Sequence, residues 1–367
     1  MKFEIFVSLF ATAITSAILT PFIRKFAFGI GAVDTPNKRR VNKISMPTIG
    51  GLAIFIAFSF ATMFLLRNQI PTQKLWGLFG GECIIIAEGM IDDIFELRPR
   101  QKIFGQLLAG LEVYFVAGVR MKYLTLPFIG IWQFGWLSLP ITLLWIVAIV
   151  NAVNLIDGLD GLATGVSIIA LTTIGITGLF FLNMANVWVA IMIFTLVASM
   201  IGFLPYNFYP ARIYLGDTGA QFIGFMLACF SLYGLKNVTF ITVIIPVIIL
   251  GVPITDTVYA MIRRKLNRQP ISHADKHHLH HRLMQMGLTH RQTVLVIYGI
   301  ALVFSFIALL YPLSNILGAV LLTVACLVGL ELFVEAIGLV GTNRQPLIKC
   351  IHQVVVNTTS SNKMKKR

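Results

Sequence analysis

Long apolar runs, each closed by a short polar segment, recur along the whole chain. Eleven are long enough to cross a bilayer: about 3–23, 48–66, 75–94, 102–119, 137–153, 161–182, 187–205, 218–235, 238–261, 292–311 and 313–334. The runs are continuous rather than alternating, which excludes an outer-membrane barrel. The pattern predicts an all-α polytopic membrane protein of about eleven transmembrane helices. Between the fourth and fifth runs, residues 120–136 hold two β-like aromatic stretches around Pro127 and Gly130. They read equally as a hairpin or as an interfacial aromatic belt.

Composition closes off the soluble alternative. A chain of 367 residues could form two or three soluble domains by length alone. Only 12% of its residues are charged, 57% are hydrophobic, and the mean hydropathy is +0.84. Soluble proteins carry about 25% charged residues. The four cysteines form no C-x-x-C pair, so neither a disulfide framework nor a zinc site is expected. The first run lacks a charged leader and reads as a retained helix.

The net charge of +14 would suggest nucleic acid in a soluble protein. Here it orients the chain. With the segment after the first span inside, 23 of the 29 basic residues fall on the cytoplasmic side and 6 outside. That puts the N-terminus outside and the C-terminus in the cytoplasm. Residues 1–340 then form one transmembrane domain, with cytoplasmic loops at about 24–47, 92–102, 151–161, 206–218 and 262–291. Residues 341–367 form a basic cytoplasmic tail suited to anionic lipid headgroups. No nucleic-acid partner is expected.

Intramembrane carboxylates are costly and mark function. Asp92, Asp93, Asp157, Asp160 and Asp217 fall at cytoplasmic helix ends, and Asp256 lies within the ninth span. Six aspartates from distant sequence thus gather at one face. Such a cluster raises its members' pKa values, and a divalent cation relieves the repulsion. Oxygen ligands favour Mg²⁺ or Mn²⁺, usually held with substrate phosphates. A transporter would place its charges nearer the midplane.

The surrounding segments fit phosphate chemistry. In NAVNLIDGLDGLATG (151–165), Asn154, Asp157 and Asp160 recur every third residue and share one helical face. YLGDTG (214–219) opens a helix at Gly216, where free N–H groups suit phosphate. HADKHHLHHR (273–282) suits phosphate contact, with zinc the lesser alternative. PNKRRVNKISMPTIGG (36–51) contains Lys43, a candidate substrate contact, whereas Arg39 and Arg40 read as positive-inside anchors.

At these residues a family resemblance emerges. IDD (91–93), NAVNLIDGLDGLA (151–163), LGDTG (215–219) and HHLHH (277–281) resemble motifs of the polyprenyl-phosphate N-acetylhexosamine-1-phosphate transferases. The match runs in order over about residues 34–291. It looks most like the bacterial undecaprenyl-phosphate GlcNAc-1-phosphate transferases that begin wall teichoic acid or O-antigen synthesis. The muramyl-pentapeptide branch usually ends its histidine run in Phe-Glu, and here the run is HHLHHRL.

The resemblance implies ten or eleven spans, a bacterial plasma-membrane location and a cytosolic active site. It also implies a reaction: UDP-GlcNAc plus undecaprenyl phosphate gives undecaprenyl-diphospho-GlcNAc and UMP, with Mg²⁺ or Mn²⁺. By that resemblance Asn154 and Asp217 hold the metal. Asp92, as base or nucleophile, stands beside Asp93 and Asp157 in the catalytic group. Lys102 lies near the diphosphate, and Asp160, Asn207 and Tyr214 belong to the uridine pocket. His278 and His280 lie on the sugar or phosphate side, with Arg282 near them. A homodimer is compatible with the family.

Plainer readings apply elsewhere. Glu82, Glu88, Glu112, Glu331 and Glu335 pair between helices or face the interface. Asp256 either joins the site or pairs with Arg263 or Arg264. Asp34 caps or turns. His273, His277, His281 and His290 read as loop surface. Competing functions are phospho-MurNAc-pentapeptide transfer and, more remotely, nucleotide-sugar or cation transport.

Overall fold

The computed structural model describes residues 3–34, 45–126, 130–181, 187–233, 246–266, 268, 278–338 and 349. Lys43, Arg39, Arg40, His273, His277 and all of the basic tail except Lys349 lie outside the described residues.

Twelve helices of seven or more residues are described. They are α1 (Phe3–Ile30), α2 (Gly51–Phe60), α3 (Thr72–Phe95), α4 (Pro99–Glu112), α5 (Ser138–Ile156), α6 (Leu162–Ile176), α7 (Val187–Asn207), α8 (Gly216–Tyr233), α9 (Gly251–Leu266), α10 (Leu279–Gln285), α11 (His290–Leu310) and α12 (Ile316–Ile337). Two two-stranded ribbons complete the set: β1 (Val33–Asp34) with β2 (Met46–Pro47), and β3 (Tyr123–Leu126) with β4 (Gly130–Gln133). The second is the hairpin reading of 120–136, with Tyr123 opposite Gln133 and Leu126 opposite Gly130. Exposed Trp132 and Trp136 on and beside it also suit a membrane interface.

Among the described residues, six helical segments are long and apolar enough to cross a membrane: Phe3–Ile30, Gly135–Ile156, Leu162–Phe180, Val187–Asn207, His290–Leu313 and Leu317–Ile337. The fold is an all-α polytopic membrane architecture. At 24 residues, α3 is about 36 Å long. It carries Lys74, Glu82, Glu88, Asp92 and Asp93, so no apolar window of that length fits within it. The runs at 48–66 and 102–119 are realised as α2 and α4, each prolonged by a π turn, to Leu65 and Ala117.

The patterning is inside-out. On α1, Phe3, Phe6, Phe10, Phe22 and Phe26 point outward, while Ser8, Thr12, Ser16 and Thr20 are buried. Lipid tails receive apolar side chains as readily as a core does, so small residues take the helix–helix seam. Thr12 and Thr20 satisfy their hydroxyls on the carbonyls of Ser8 and Ser16, each at 2.7 Å. At the seam with α7, a Cβ on Gly202 would collide with the Ala13 carbonyl. Gly202→Ala is therefore expected to destabilise by about 1–3 kcal/mol. Gly299→Ala, on α11 with open space around it, should not. Thermal unfolding in detergent compares the two.

At the centre stands α8, every side chain from Thr218 to Tyr233 buried. Helices α3 and α5 pack along it, and Trp145 of α5 donates to Ser231 at 2.9 Å. Its N-terminus is where the polar residues of four helices converge.

Candidate active site

Gly216 opens α8 with φ +73°, and a Cβ there would run into the Thr48 carbonyl and lie 2.7 Å from Asp93 Oδ2. The backbone approaches so closely because β2 and the segment that follows it are stitched to the chain before α8. Tyr214 N donates to Pro47 O at 2.9 Å, Gly50 N to Tyr214 O at 3.0 Å, and Gly51 N to Leu215 O at 3.0 Å.

The first N–H groups of a helix have no partner within it. Here the partner comes from α3. Asp217 N donates to Asp93 Oδ1 at 3.0 Å, and Thr218 donates to Asp93 Oδ2 through its N–H at 2.9 Å and its hydroxyl at 2.6 Å. Asp93 is thus a cap supplied from another helix, favoured also by the helix dipole. Asp93→Asn places a donor against donors. The expected cost is about 1–3 kcal/mol, with slower turnover because Asp217 loses its anchor. Unfolding temperature and kcat should fall together.

The Asp217 side chain faces the cavity with 29% exposure, against 2% for Asp92. Its Oδ1 accepts from Asn154 Nδ2 at 2.7 Å and its Oδ2 from Lys102 Nζ at 3.4 Å. Lys102 also pairs with Asp92, whose Oδ1 accepts from Leu97 N at 2.8 Å. Asp92, Asn154 and Asp217 line a cavity of about 910 Å³, within the range of sites for small molecules and cofactors. Asp92, Asp93, Asp157, Asp160 and Asp217 all line it, as do Asn154, Asn207, Tyr214 and Gly216. Burial, then Asp217, Asp93 and Asp160, push the Asp157 carboxyl well above the usual carboxylate range.

Five carboxylates around one ammonium leave negative charge to be neutralised. Among the described residues no three His, Cys, Asp or Glu side chains stand close enough to hold an ion by themselves. Asp217 and Asn154 stand side by side, and most of the polar side chains lining the cavity carry oxygen donors. That set fits a hard divalent cation completed by substrate phosphates, the usual way Mg²⁺ is held.

Also at the cavity, Asp160 Oδ2 accepts from Ala211 N at 3.0 Å, and its own N–H donates to His290 Nε2 at 3.0 Å. The Tyr209 and His290 rings lie 4.6 Å apart at 30°. Asn207 spends its amide on local structure, accepting from Thr164 at 2.9 Å and donating to Ile213 O at 3.2 Å.

The histidine segment differs from the sequence expectation. His278 and His280 are buried and do not line the cavity. His278 Nδ1 bonds Asp256 Oδ2 at 2.9 Å, and Leu279 N donates to Asp256 Oδ1 at 2.8 Å. Asp256 therefore anchors the start of α10 and does not line the cavity with the other five aspartates. The His280 ring packs beneath Gly158, where a Cβ would lie 2.6 Å from it. Burial, then His281, lower its pKa to about 3, so the ring is neutral. Arg282 turns to Gln285 of its own helix at 3.4 Å and is not among the lining residues.

The histidines at the cavity are His281 and His290, against the surface reading, and Asp34 lines it too. The signal for His281 is helical spacing: His281 and Met284, three apart on α10, both line the wall.

Buried helices, an acidic polar cavity and a lysine bridging two aspartates define a class: a polytopic membrane protein with a polar site where its helix ends meet. Comparison with known proteins narrows it. The glycosyl transferase family 4 model matches residues 75–235. The probable undecaprenyl-phosphate N-acetylglucosaminyl 1-phosphate transferase of Bacillus subtilis (strain 168) is 41% identical over 356 residues, covering 96% of this chain and 97% of that one. The decaprenyl-phosphate N-acetylglucosaminephosphotransferase of Mycolicibacterium smegmatis is 35% identical, covering 78% and 77%. A phospho-N-acetylmuramoyl-pentapeptide-transferase of Listeria monocytogenes is 32% identical over 63% of this chain and 76% of its own. The chain belongs to the polyprenyl-phosphate N-acetylhexosamine-1-phosphate transferase family.

Proposed function

We propose that this enzyme transfers GlcNAc-1-phosphate from UDP-GlcNAc to undecaprenyl phosphate, giving undecaprenyl-diphospho-GlcNAc and UMP. The reaction is the first membrane step of a cell-envelope polymer such as wall teichoic acid. The observation that carries the reading is Asp217, anchored by Asp93 and held between Asn154 and Lys102 at the cavity wall. The full-length likeness to the Bacillus relative supports the donor and acceptor.

An oxygen of the lipid phosphate attacks the sugar-bearing phosphorus of the donor. The new P–O bond forms as the bond to the bridging oxygen breaks, and that electron pair leaves with UMP. The acceptor is already anionic, so direct attack needs little base strength. Asp92 orients it, and Lys102 balances charge between donor and acceptor. Asp217 and Asn154 would hold Mg²⁺ or Mn²⁺, which supplies charge neutralisation at the diphosphate. Asp157 completes the catalytic group as a further oxygen donor at the cavity. Asp160, Tyr214 and Asn207 shape the nucleoside end, and Gly216 lets the backbone approach the phosphates. Holding both phosphates in line supplies most of the rate.

The eleven-span topology with N-terminus out and C-terminus in puts this cavity at the cytoplasmic face of a bacterial plasma membrane. In that frame residues 1–340 are the catalytic domain and 341–367 a basic tail. The pentapeptide reading draws on the Listeria relative.

UMP release by the purified protein with undecaprenyl phosphate and Mg²⁺ separates these readings. Release with UDP-GlcNAc alone, dependent on the lipid, is the expected result. Release only with UDP-MurNAc-pentapeptide would move the donor. Release with neither, from folded protein, would overturn the reading.

A further inference from the structure

Helix α11 is fastened at two points to the loop that carries Asp160. Tyr298 donates its hydroxyl to the Gly161 carbonyl, and its ring fills the notch beside Gly165, where a Cβ would overlap it. About two turns earlier on α11, His290 Nε2 accepts the Asp160 N–H at 3.0 Å. The start of α11 is itself fixed by a capping box. Thr289 N donates to Gln292 Oε1 at 2.9 Å, and Gln292 N donates to Thr289 Oγ1 at 3.3 Å. The Tyr209 ring packs on His290 at 4.6 Å. Main chain, capping box and ring contact together hold one histidine still at the cavity wall.

The bonding also fixes what that ring offers. A ring nitrogen that accepts from a backbone N–H carries no proton, so the neutral ring holds its proton on Nδ1. His290 and Asp160 both line the cavity. Asp160 spends Oδ2 on Ala211 N, and its Oδ1 lies 4.0 Å from His290 Nε2, beyond hydrogen-bond reach. This stretch of wall therefore presents one donor, His290 Nδ1–H, and one acceptor, Asp160 Oδ1.

We propose that His290 is a specificity-determining residue for the donor nucleotide, donating from Nδ1 to a uracil carbonyl while Asp160 accepts from uracil N3–H. The inference rests on the transfer reaction proposed above and deepens its nucleoside end. In uracil a carbonyl flanks N3–H on each side, so a donor beside an acceptor matches the base in either orientation. In cytosine N3 carries a lone pair, which would face the Asp160 carboxylate. A site built to hydrogen-bond a group rejects an analogue lacking it strongly, because its own polar groups are left unpaired. Tyr209 and Tyr298 act through His290, the first by holding its ring and the second by holding its helix.

The test uses the full-length protein in detergent with undecaprenyl phosphate and Mg²⁺, following UMP release from UDP-GlcNAc and CMP release from CDP-GlcNAc. Turnover of UDP-GlcNAc by the wild type tests the underlying reaction, so its failure is separate from failure of this inference. The wild type is expected to favour UDP-GlcNAc in kcat/KM by about 10²-fold or more. His290→Phe keeps a ring against Tyr209 and removes the donor. It should raise the KM for UDP-GlcNAc about tenfold with kcat within about threefold, and shrink the preference about tenfold. His290→Gln, whose amide can both accept and donate, should recover part of it. Tyr298→Phe loosens the same helix from outside the cavity lining, so it should slow both donors alike and leave the preference intact. An unchanged preference in folded His290→Phe would overturn the proposal, as would a wild type that uses both donors equally. Should His290→Phe not fold, the wild type decides with 2-thio- and 4-thio-UDP-GlcNAc. Sulfur accepts hydrogen bonds weakly, so one of the two should lose about tenfold in kcat/KM. Equal use of both thio donors and UDP-GlcNAc would overturn the proposal.

Discussion

Asp217→Asn is expected to remove Mg²⁺-dependent UMP release, by about 10³-fold, while the protein remains folded. The asymmetry follows from where the side chain sits. Its backbone N–H, not its carboxylate, is what ties the start of α8 to Asp93, and asparagine keeps that N–H. Its carboxylate is the most open of the Lys102 partners and has Asn154 at 2.7 Å. The amide fills the same volume but carries no charge to hold a cation, and it can present its NH₂ toward the Lys102 ammonium. Unfolding should therefore shift little and activity collapse. Titrating Mg²⁺ and Mn²⁺ against the variant checks this. Normal turnover at ordinary metal concentration would remove Asp217 from the metal role.

Gly216→Ala should be nearly as damaging for a different reason. The left-handed backbone at φ +73° costs a side-chain-bearing residue about 1–2 kcal/mol. The larger effect is steric, since the new methyl group would overlap the Thr48 carbonyl and press on the Asp93 carboxylate. Relief requires moving either the segment after β2 or the Asp93 cap, and both set the position of Asp217. A displacement of about 1 Å at a reacting group can cost about 10²-fold in rate. Gly287→Ala provides the control. It has φ +97° but nothing within 4 Å of the added carbon, so it carries the strain without the collision. If the two variants lose activity equally, the collision is not the cause.

The periodicity of the chain made the helical architecture legible, because apolar length is a local property. The grouping of Asp92, Asp93, Asp157, Asp160 and Asp217 was legible as well, because topology alone sends helix ends to one face. What each carboxylate bonds to was not. Asp92 and Asp93 are adjacent in sequence, yet one pairs with a lysine and the other caps a helix 124 positions away. The histidines show the same limit. A run of them predicts a polar loop, but only the start of α10 after His278 decides that His281 turns to the cavity while His280 goes beneath Gly158. Asp256 was open between two roles, and its His278 partner depends on a tertiary contact no spacing reveals.

The Asp93 cap also bears on how the molecule is made. Synthesis delivers α3 to the membrane long before Thr218 exists, so the Asp92–Asp93 pair enters with its eventual donors still missing. Lys102, ten residues behind Asp92, arrives early enough to shield the first carboxylate. The second waits for α8, the helix that is buried from Thr218 to Tyr233 and must slot between neighbours already inserted. A nascent chain halted before residue 216 thus carries an unsatisfied acidic helix end.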